Sequence, residues 1–339
     1  MLSRRQVLRG VAVSAVVGGA PSALHLDRAH ASDVKLGIVS FPGPSLSSHS
    51  KVIIKKNSFD RKYGWELDWQ IRPTTDAYYS DFVSGSYDGI DFGGLNVFAN
   101  LYNKGVPLQV VQATVRWPLP VVVRADTQIR SIEDLKGRKL GVDRSSFAYA
   151  YVAAVARSHR FDLEKDVQVT NVGFVQALPR LQRGDFDAAV LIFEHAIQLL
   201  HEAPNDFRLL FDANAEFAKS IGANEVYQFH AIRANWIKSN PRGVAGVLAT
   251  YRDVSAFFAN EPQKAVDLLA LPASQGGANL SPVVGKVEYV TGTAAGSKTQ
   301  WTSKPVAELR SQIQRELENY RAVGLIEQLP GDGFLHLAS

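Results

Sequence analysis

The sequence predicts an α/β protein with two lobes, each built on a mostly parallel sheet. Buried strands alternate with helices of about ten residues, which is the pattern of parallel βαβ units. A similar series of strands and helices begins again after residue 116. The chain of 339 residues also exceeds what one hydrophobic core usually holds, even without its N-terminal segment, so we expect two domains.

The first series begins with a strand over 33–40, which ends at Phe41-Pro42-Gly43-Pro44. Ser45 is of the residue type that favours a helix N-terminus, and the helix after it is expected to reach residue 56. Gly85 is placed to end a later helix in the left-handed conformation. The remaining elements predicted for this series are strands at 65–71, 89–93 and 107–114 and helices at 74–83 and 94–104.

The second series has the same build. Its predicted strands cover 120–124, 139–142, 166–171 and 188–193, and its helices cover 132–135, 147–157, 174–183 and 196–201. Both series contain a helix that ends at Gly, a turn with an aromatic residue and Asp, and a buried strand: Gly85, Tyr87 and Asp88 in the first, Gly184, Phe186 and Asp187 in the second. The repeat supports two lobes of similar build.

After residue 224 the chain returns to the first lobe. A strand is predicted over 225–232, followed by helices at 239–260 and 261–271. The last helix, 303–323, carries Leu309, Ile313 and Leu317 at helical spacing, which predicts an amphipathic helix packed on a core. We therefore expect a discontinuous first lobe (32–116 and 228–339) and a second lobe over 117–227.

The N-terminal residues are typical of an export signal. A charged segment is followed by a short apolar run from Val11 to Leu24 and by an A-x-A pattern that ends at Ala31. The Ser3-Arg4-Arg5 sequence and the residues after it resemble a twin-arginine signal, which directs export of folded proteins. We expect cleavage after Ala31 and a soluble protein of the periplasm.

Composition excludes several kinds of site. There is no cysteine, so disulfides, thiolate metal sites and a lipoprotein anchor are excluded. The formal net charge is +4, but the predicted leader contributes four arginines against one aspartate. The remaining chain is nearly neutral, which gives no electrostatic argument for nucleic-acid binding. We expect a monomer without a cofactor or a metal.

The segment 139–157 predicts an anion site. A buried strand leads through Asp143 to Ser146 into an Ala- and Tyr-rich helix that begins at Phe147. A helix N-terminus presents free N–H groups and a partial positive charge, and Arg144 beside it is able to add a charge-assisted contact. The alternative is an ordinary helix cap with a solvated arginine.

Several segments together resemble a known family, the periplasmic substrate-binding proteins of ABC importers with the type 2 fold. The best-matching segments are 85–88, 132–142, 181–190 and 237–241. The branch that they resemble handles nitrate, sulfonates, taurine and the thiamine-precursor pyrimidine. The resemblance implies two Rossmann-like lobes joined by a two-segment hinge, a small-molecule ligand between them and a membrane ABC permease as partner.

The resemblance also implies which residues line the ligand site, at loops after the carboxyl ends of parallel strands. In the first lobe and the crossovers these are Ser40, Phe41, Pro42, Gly43, Gly94, Asn96, Trp117 and Tyr227. In the second lobe they are Arg144, Ser145, Ser146, Phe147, Tyr149, Phe193 and Glu194. Phe41, Phe147 and Phe193 have a core position as their alternative, and Asn96 has a capping role.

The expected function is capture of a small organic anion, sulfonate-like, taurine-like or an aromatic acid, for import. Glu194 leaves open a ligand with an amine, such as a taurine-like zwitterion or an aminopyrimidine. The alternative class is an enzyme on the same scaffold, such as a decarboxylase. A sensor module that reports a ligand to a membrane receptor has the same sequence features.

Overall fold

Eleven strands form two sheets in the part of the chain that the computed structural model describes, which is residues 34–41, 45–286 and 300–337. The predicted export signal, Pro42 and Gly43 lie outside the described residues. No helix within the described ranges is long and apolar enough to cross a membrane.

Sheet 1 is formed by two separate segments of the chain. Its strands are β1 (Val34–Ser40), β2 (Trp65–Ile71), β3 (Gly89–Gly93), β4 (Leu108–Arg116), β10 (Gln228–Arg233) and β11 (Gln300–Pro305), in the order β11-β4-β10-β3-β1-β2. β1 runs parallel to β2 and β3, with Val34 opposite Trp65 and Ser40 opposite Ile71. β10 is antiparallel to β3 and β4, and β11 is antiparallel to β4 at the edge.

Sheet 2 is formed by one continuous segment. Its strands are β5 (Pro120–Arg124), β6 (Lys139–Val142), β7 (Gln168–Asn171), β8 (Ala188–Val190) and β9 (Phe207–Asp212), in the order β7-β6-β8-β5-β9. β6 is parallel to β7 and β8, whereas β5 is antiparallel to β8 and β9.

Helices pack against both sheets. They are α1 (Leu46–Asn57), α2 (Phe59–Lys62), α3 (Thr75–Ser84), α4 (Leu95–Asn103), α5 (Phe147–Ser158), α6 (Leu163–Asp166), α7 (Phe174–Gln182), α8 (Phe193–Glu202), α9 (Ala213–Ser220), α10 (Ala234–Ser239), α11 (Pro241–Asn260), α12 (Pro262–Ala270) and α13 (Arg310–Ala322). The side chain of Thr74 caps α3 by accepting the N–H of Ala77, and Gly85 ends that helix at φ 82°. Left-handed φ at this point favours glycine, as the sequence predicted.

The two-sheet α/β class is confirmed, but the strand pairing is mixed rather than mostly parallel. β4 and β5 are the strands nearest the first crossover, and each is antiparallel to the strands beside it in its sheet. The prediction of a helix start at 303 is wrong, because 300–305 forms the edge strand β11 and α13 begins at Arg310. The predicted lobe boundaries remain a prediction.

One hydrophobic core contains side chains from both sheets. Phe41 after β1, Trp117 after β4 and Phe147 after β6 all belong to it, and all are fully buried. The residues that follow the carboxyl ends of β1 and β6 therefore meet in one core, where the ring centroids of Phe41 and Phe147 are 6.3 Å apart.

Candidate functional site

Five aromatic side chains meet where the loops of the two sheets come together, and we call them the aromatic cluster: Phe41, Tyr78, Trp117, Phe147 and Phe174. The Phe41 ring lies at the centre, with centroid distances of 5.3 Å to Tyr78, 5.6 Å to Trp117, 6.3 Å to Phe147 and 5.5 Å to Phe174. Most of these pairs are edge-on, the geometry that the ring quadrupoles favour. Tyr78 lies on α3, and Phe147 and Phe174 begin α5 and α7.

The start of α4, which follows β3 of sheet 1, and the start of α5, which follows β6 of sheet 2, approach closely beside this cluster. Gly94 caps α4 at φ −78°, and a Cβ atom added there would lie 2.3 Å from Cβ of Phe147. That separation is far below van der Waals contact, so no side chain fits. The glycine is required here for close approach rather than for backbone conformation.

A buried hydrogen bond also joins α3, beside sheet 1, to the turn that follows β6 of sheet 2. The hydroxyl of Thr75, the first residue of α3, donates to Oδ2 of Asp143 at 2.6 Å. The other carboxylate oxygen of Asp143 accepts from the main-chain N–H of Ser145 at 3.0 Å and from its hydroxyl at 2.6 Å. Ser146 caps α5, since its hydroxyl accepts the N–H of Ala148. The turn before α5 is thus ordered by its own side chains and by Thr75.

Arg144 is directed away from the aromatic cluster. Its guanidinium forms an ion pair with Glu164 at 2.7 Å and donates to the carbonyl of Val169. The hydroxyl of Tyr149 donates to the same Glu164 carboxylate. Both side chains of the Arg144–Glu164 pair are more than 40% exposed. Arg144 and Tyr149 therefore make their polar contacts with α6 and β7 in this arrangement, within the described residues.

Buried polar atoms without a hydrogen-bond partner lie around the cluster. They are Oγ of Ser40 at the end of β1, Oδ1 of Asn96 in the first turn of α4 and Nε1 of Trp117, each without a partner among the described residues. Asn96 Oδ1 lies beside the Gly94–Phe147 contact. Leaving a buried polar group unpaired costs about 1–3 kcal/mol, so such groups usually have a partner that is bound there.

The cations near the site are engaged with carboxylates. A guanidinium nitrogen of Arg116 lies 3.0 Å from Asp212, and Lys51 pairs with Asp91 with both side chains fully buried. The described residues contain no group of three or more His, Asp or Glu placed to hold a metal ion.

The family model for "NMT1/THI5 like" proteins matches residues 92–265, just over half of the 339-residue chain. The chain belongs to this family. The matched range includes α4, Trp117 and all of sheet 2, and thus most of the residues that surround the aromatic cluster. No curated protein sequence matches the chain.

Solved structures of three binding proteins share the fold of this NMT1/THI5-like chain. The periplasmic aliphatic sulphonate binding protein SsuA from Escherichia coli is 20% identical, with a TM-score of 0.66, and the match covers 88% of this chain and 96% of that one. The alkanesulfonate-binding protein SsuA from Xanthomonas axonopodis pv. citri, bound to MOPS, is 18% identical, with a TM-score of 0.68 and coverage of 89% and 96%. The periplasmic nitrate-binding protein NrtA from Synechocystis PCC 6803 is 12% identical, with a TM-score of 0.66 and coverage of 87% and 83%.

The structure brings some of the predicted residues of this NMT1/THI5-like chain together and separates others. Phe41, Trp117 and Phe147 lie in the aromatic cluster. Around it are the end of β1 (Ser40), the start of α4 (Gly94 and Asn96) and the turn before α5 (Ser145 and Ser146). Phe193 and Glu194 are buried in the first turn of α8. Tyr227 donates its hydroxyl hydrogen bond to Glu225 and accepts one from Lys304.

Sequence reasoning missed Thr75, Tyr78, Asp143 and Phe174 as residues of the site. Tyr78 and Phe174 had been included only as helix residues, and Asp143 only as part of a turn. A signal did exist for Phe174, because it follows the strand beside β6 and starts a helix, as Phe147 does. Nothing in the residue types around Thr75 predicts a bond across 68 positions.

Proposed function

We propose that this NMT1/THI5-like chain captures a small organic solute at the aromatic cluster and delivers it to a membrane ABC permease after export to the periplasm. The observation that carries the proposal is the set of buried, unpartnered polar atoms at the place where the loops of both sheets meet. The similar structures named above are binding proteins, which supports binding without chemistry. Capture then works by favouring the arrangement in which Thr75 and Asp143 are in contact.

The contacts favour a solute with a flat or apolar part and one polar end. Phe41, Trp117 and Phe174 offer ring faces and edges for stacking. The indole N–H of Trp117 and the hydroxyl of Ser40 are free to donate to an oxygen of the polar end, and Asn96 is available as a further contact. The N-terminus of α5 adds a partial positive charge.

We propose a sulfonate, a taurine-like zwitterion or an aromatic acid as the solute. Since Arg116, Lys51 and Arg144 pair with carboxylates, an anion would be bound by N–H and O–H groups rather than by a guanidinium. An uncharged heterocycle such as an aminopyrimidine fits the same donors and acceptor, and the two classes are separated by experiment.

A thermal-shift screen tests the proposal. The protein without residues 1–31 is heated with alkane- and arylsulfonates, taurine, nitrate, aromatic carboxylates and aminopyrimidines. A compound at about a hundred times its dissociation constant stabilises the fold by about 2.7 kcal/mol, which is easily measured. No stabilisation by any compound would contradict the proposed ligand classes, and conversion of a bound compound, seen by mass spectrometry, would establish an enzyme instead.

A further inference from the structure

A buried polar network is connected to the main chain of Phe41 by hydrogen bonds. Lys51 on α1 pairs with Oδ2 of Asp91 on β3, and both side chains have no exposed surface. The hydroxyl of Tyr251 on α11 donates to the same oxygen at 3.0 Å. Asp91 thus ties α1, β3 and α11 to one point inside the layer around sheet 1.

Ser47 connects this network to the aromatic cluster. Its hydroxyl donates to Oδ1 of Asp91 at 2.9 Å and accepts the main-chain N–H of Phe41 at 3.2 Å. Tyr78 provides a second connection, because its hydroxyl donates to the main-chain carbonyl of Asp91 and its ring lies edge-on to Phe41. Backbone and ring of Phe41 are therefore both held by groups that are anchored on Asp91.

We propose that Ser47 is a positioning residue, which fixes Phe41 at the centre of the aromatic cluster by coupling it to the buried Lys51–Asp91 pair. The inference rests on the proposed function for its importance, since Phe41 contacts four other rings of the site. Ser47 is buried and is the second residue of α1. Its hydroxyl is hydrogen-bonded to the backbone N–H of Phe41.

A hydroxyl is the group that this position needs. It accepts one hydrogen bond and donates another, so it satisfies both the Phe41 N–H and the Asp91 carboxylate. An alanine would remove both hydrogen bonds, so that the Phe41 N–H loses its acceptor and the Asp91 carboxylate loses this donor. A threonine keeps the hydroxyl and is expected to keep the position of Phe41.

The fluorescence of Trp117 reports the position of Phe41 without any ligand, because the two rings lie edge-on at 5.6 Å. Acrylamide quenching of Trp117 is obtained as the difference between each protein and the same protein with Trp117→Phe. We expect Ser47→Ala to raise the Trp117 quenching constant by about fivefold. Loss of one hydrogen bond raises the population of molecules in which Phe41 is displaced from Trp117 by about this factor. Ser47→Thr should restore the low value.

Ser50→Ala is the matched control. Ser50 lies on the same helix, is equally buried and hydrogen-bonds to Ser47 and Lys51, and its hydroxyl has no hydrogen bond to Phe41 among the described residues. If Ser47→Ala does not fold, Tyr78→Phe removes the second connection while keeping the ring, and it should also raise the quenching. A lowered melting temperature with unchanged Trp117 quenching in these variants would overturn the inference. Failure of every compound to bind would contradict the proposed function and leave this result untouched.

Discussion

The hydroxyl of Thr75 donates a 2.6 Å hydrogen bond to the buried carboxylate of Asp143 and joins the start of α3 on sheet 1 to the turn after β6 on sheet 2. The bond therefore exists only when the loops of the two sheets are together. It offers a direct way to test what holds this arrangement.

We predict that Thr75→Val lowers the free energy of unfolding by about 1.5–3 kcal/mol, the worth of a hydrogen bond to a charged group. Valine keeps the shape of threonine and removes only the donor. Urea unfolding followed by circular dichroism measures the change. Thr75→Ser, which keeps the hydroxyl, should lie close to wild type, and equal stability of all three proteins would show that the bond contributes nothing.

We predict that Trp117→Phe weakens binding of any solute that stabilises the wild type. The phenyl ring keeps the contact with Phe41, while the indole N–H, which has no partner among the described residues, is lost. The smaller ring leaves a cavity that lowers the stability of the free protein, and loss of the donor costs a hydrogen bond of about 1 kcal/mol in the bound state. Isothermal titration calorimetry and thermal melts measure the two effects.

Trp301→Phe is the control for that comparison. The Nε1 atom of Trp301 is also buried without a described partner, but its ring stacks on Phe258 at 4.2 Å and is absent from the aromatic cluster. It should leave binding unchanged. An equal loss of affinity in both variants would mean that Trp117 acts through the fold rather than by contact.

We predict that Gly94→Ala moves the start of α4 and the start of α5, and with them sheet 1 and sheet 2, further apart. The added methyl group would lie 2.3 Å from Cβ of Phe147, so the chain at one of these two residues has to shift. Small-angle X-ray scattering should show a larger radius of gyration. The free energy of unfolding should fall by roughly 1–3 kcal/mol, which is the usual cost of overpacking.

Gly173→Ala is a matched control for this substitution. Gly173 caps α7 at φ −64°, close to the φ of Gly94, and a Cβ atom there would meet nothing within 4 Å. Both changes have the same effect on the unfolded chain, so a difference between them reports the contact with Phe147. Identical behaviour of the two variants would contradict the close approach.

We predict that stability falls as pH rises toward 8 because of Glu316. Burial raises the pKa of this carboxyl group from 4.5 to about 8, and the hydroxyl of Tyr320, which donates to it at 2.7 Å, opposes the rise only in part. Between these two pKa values the folded protein holds a proton that the unfolded chain has released. Linkage then lowers the free energy of unfolding as pH increases through this window.

Glu316→Gln should abolish this slope. The variant should melt close to wild type near pH 5 and above it by several degrees near pH 8, as followed by thermal melts. Glu318→Gln on the same helix is the control, because Glu318 is exposed. Parallel melting curves of wild type and Glu316→Gln across this range would show that Glu316 is not held neutral.

Local sequence predicted the turn before α5 well. The strand at 139–142 and the helix start at Phe147 agree with the structure, because apolar runs, capping residues and alanine-rich segments act within a few positions of one another. The direction of Arg144 did not follow from the same residues. Whether its guanidinium turns toward the cluster or toward Glu164 depends on α6, which lies twenty positions further along the chain.

Local periodicity and turn chemistry are enough to predict the alternation of strands and helices, the two series of elements, and Phe41, Trp117 and Phe147 as candidate site residues between these elements. Three features do not follow from local patterns: the antiparallel pairing of β10 between β3 and β4, the bond from Thr75 to Asp143, and the bridge that Ser47 makes between Phe41 and Asp91. These contacts join residues that are far apart in the chain, and their formation depends on how the two sheets pack, which no local pattern encodes.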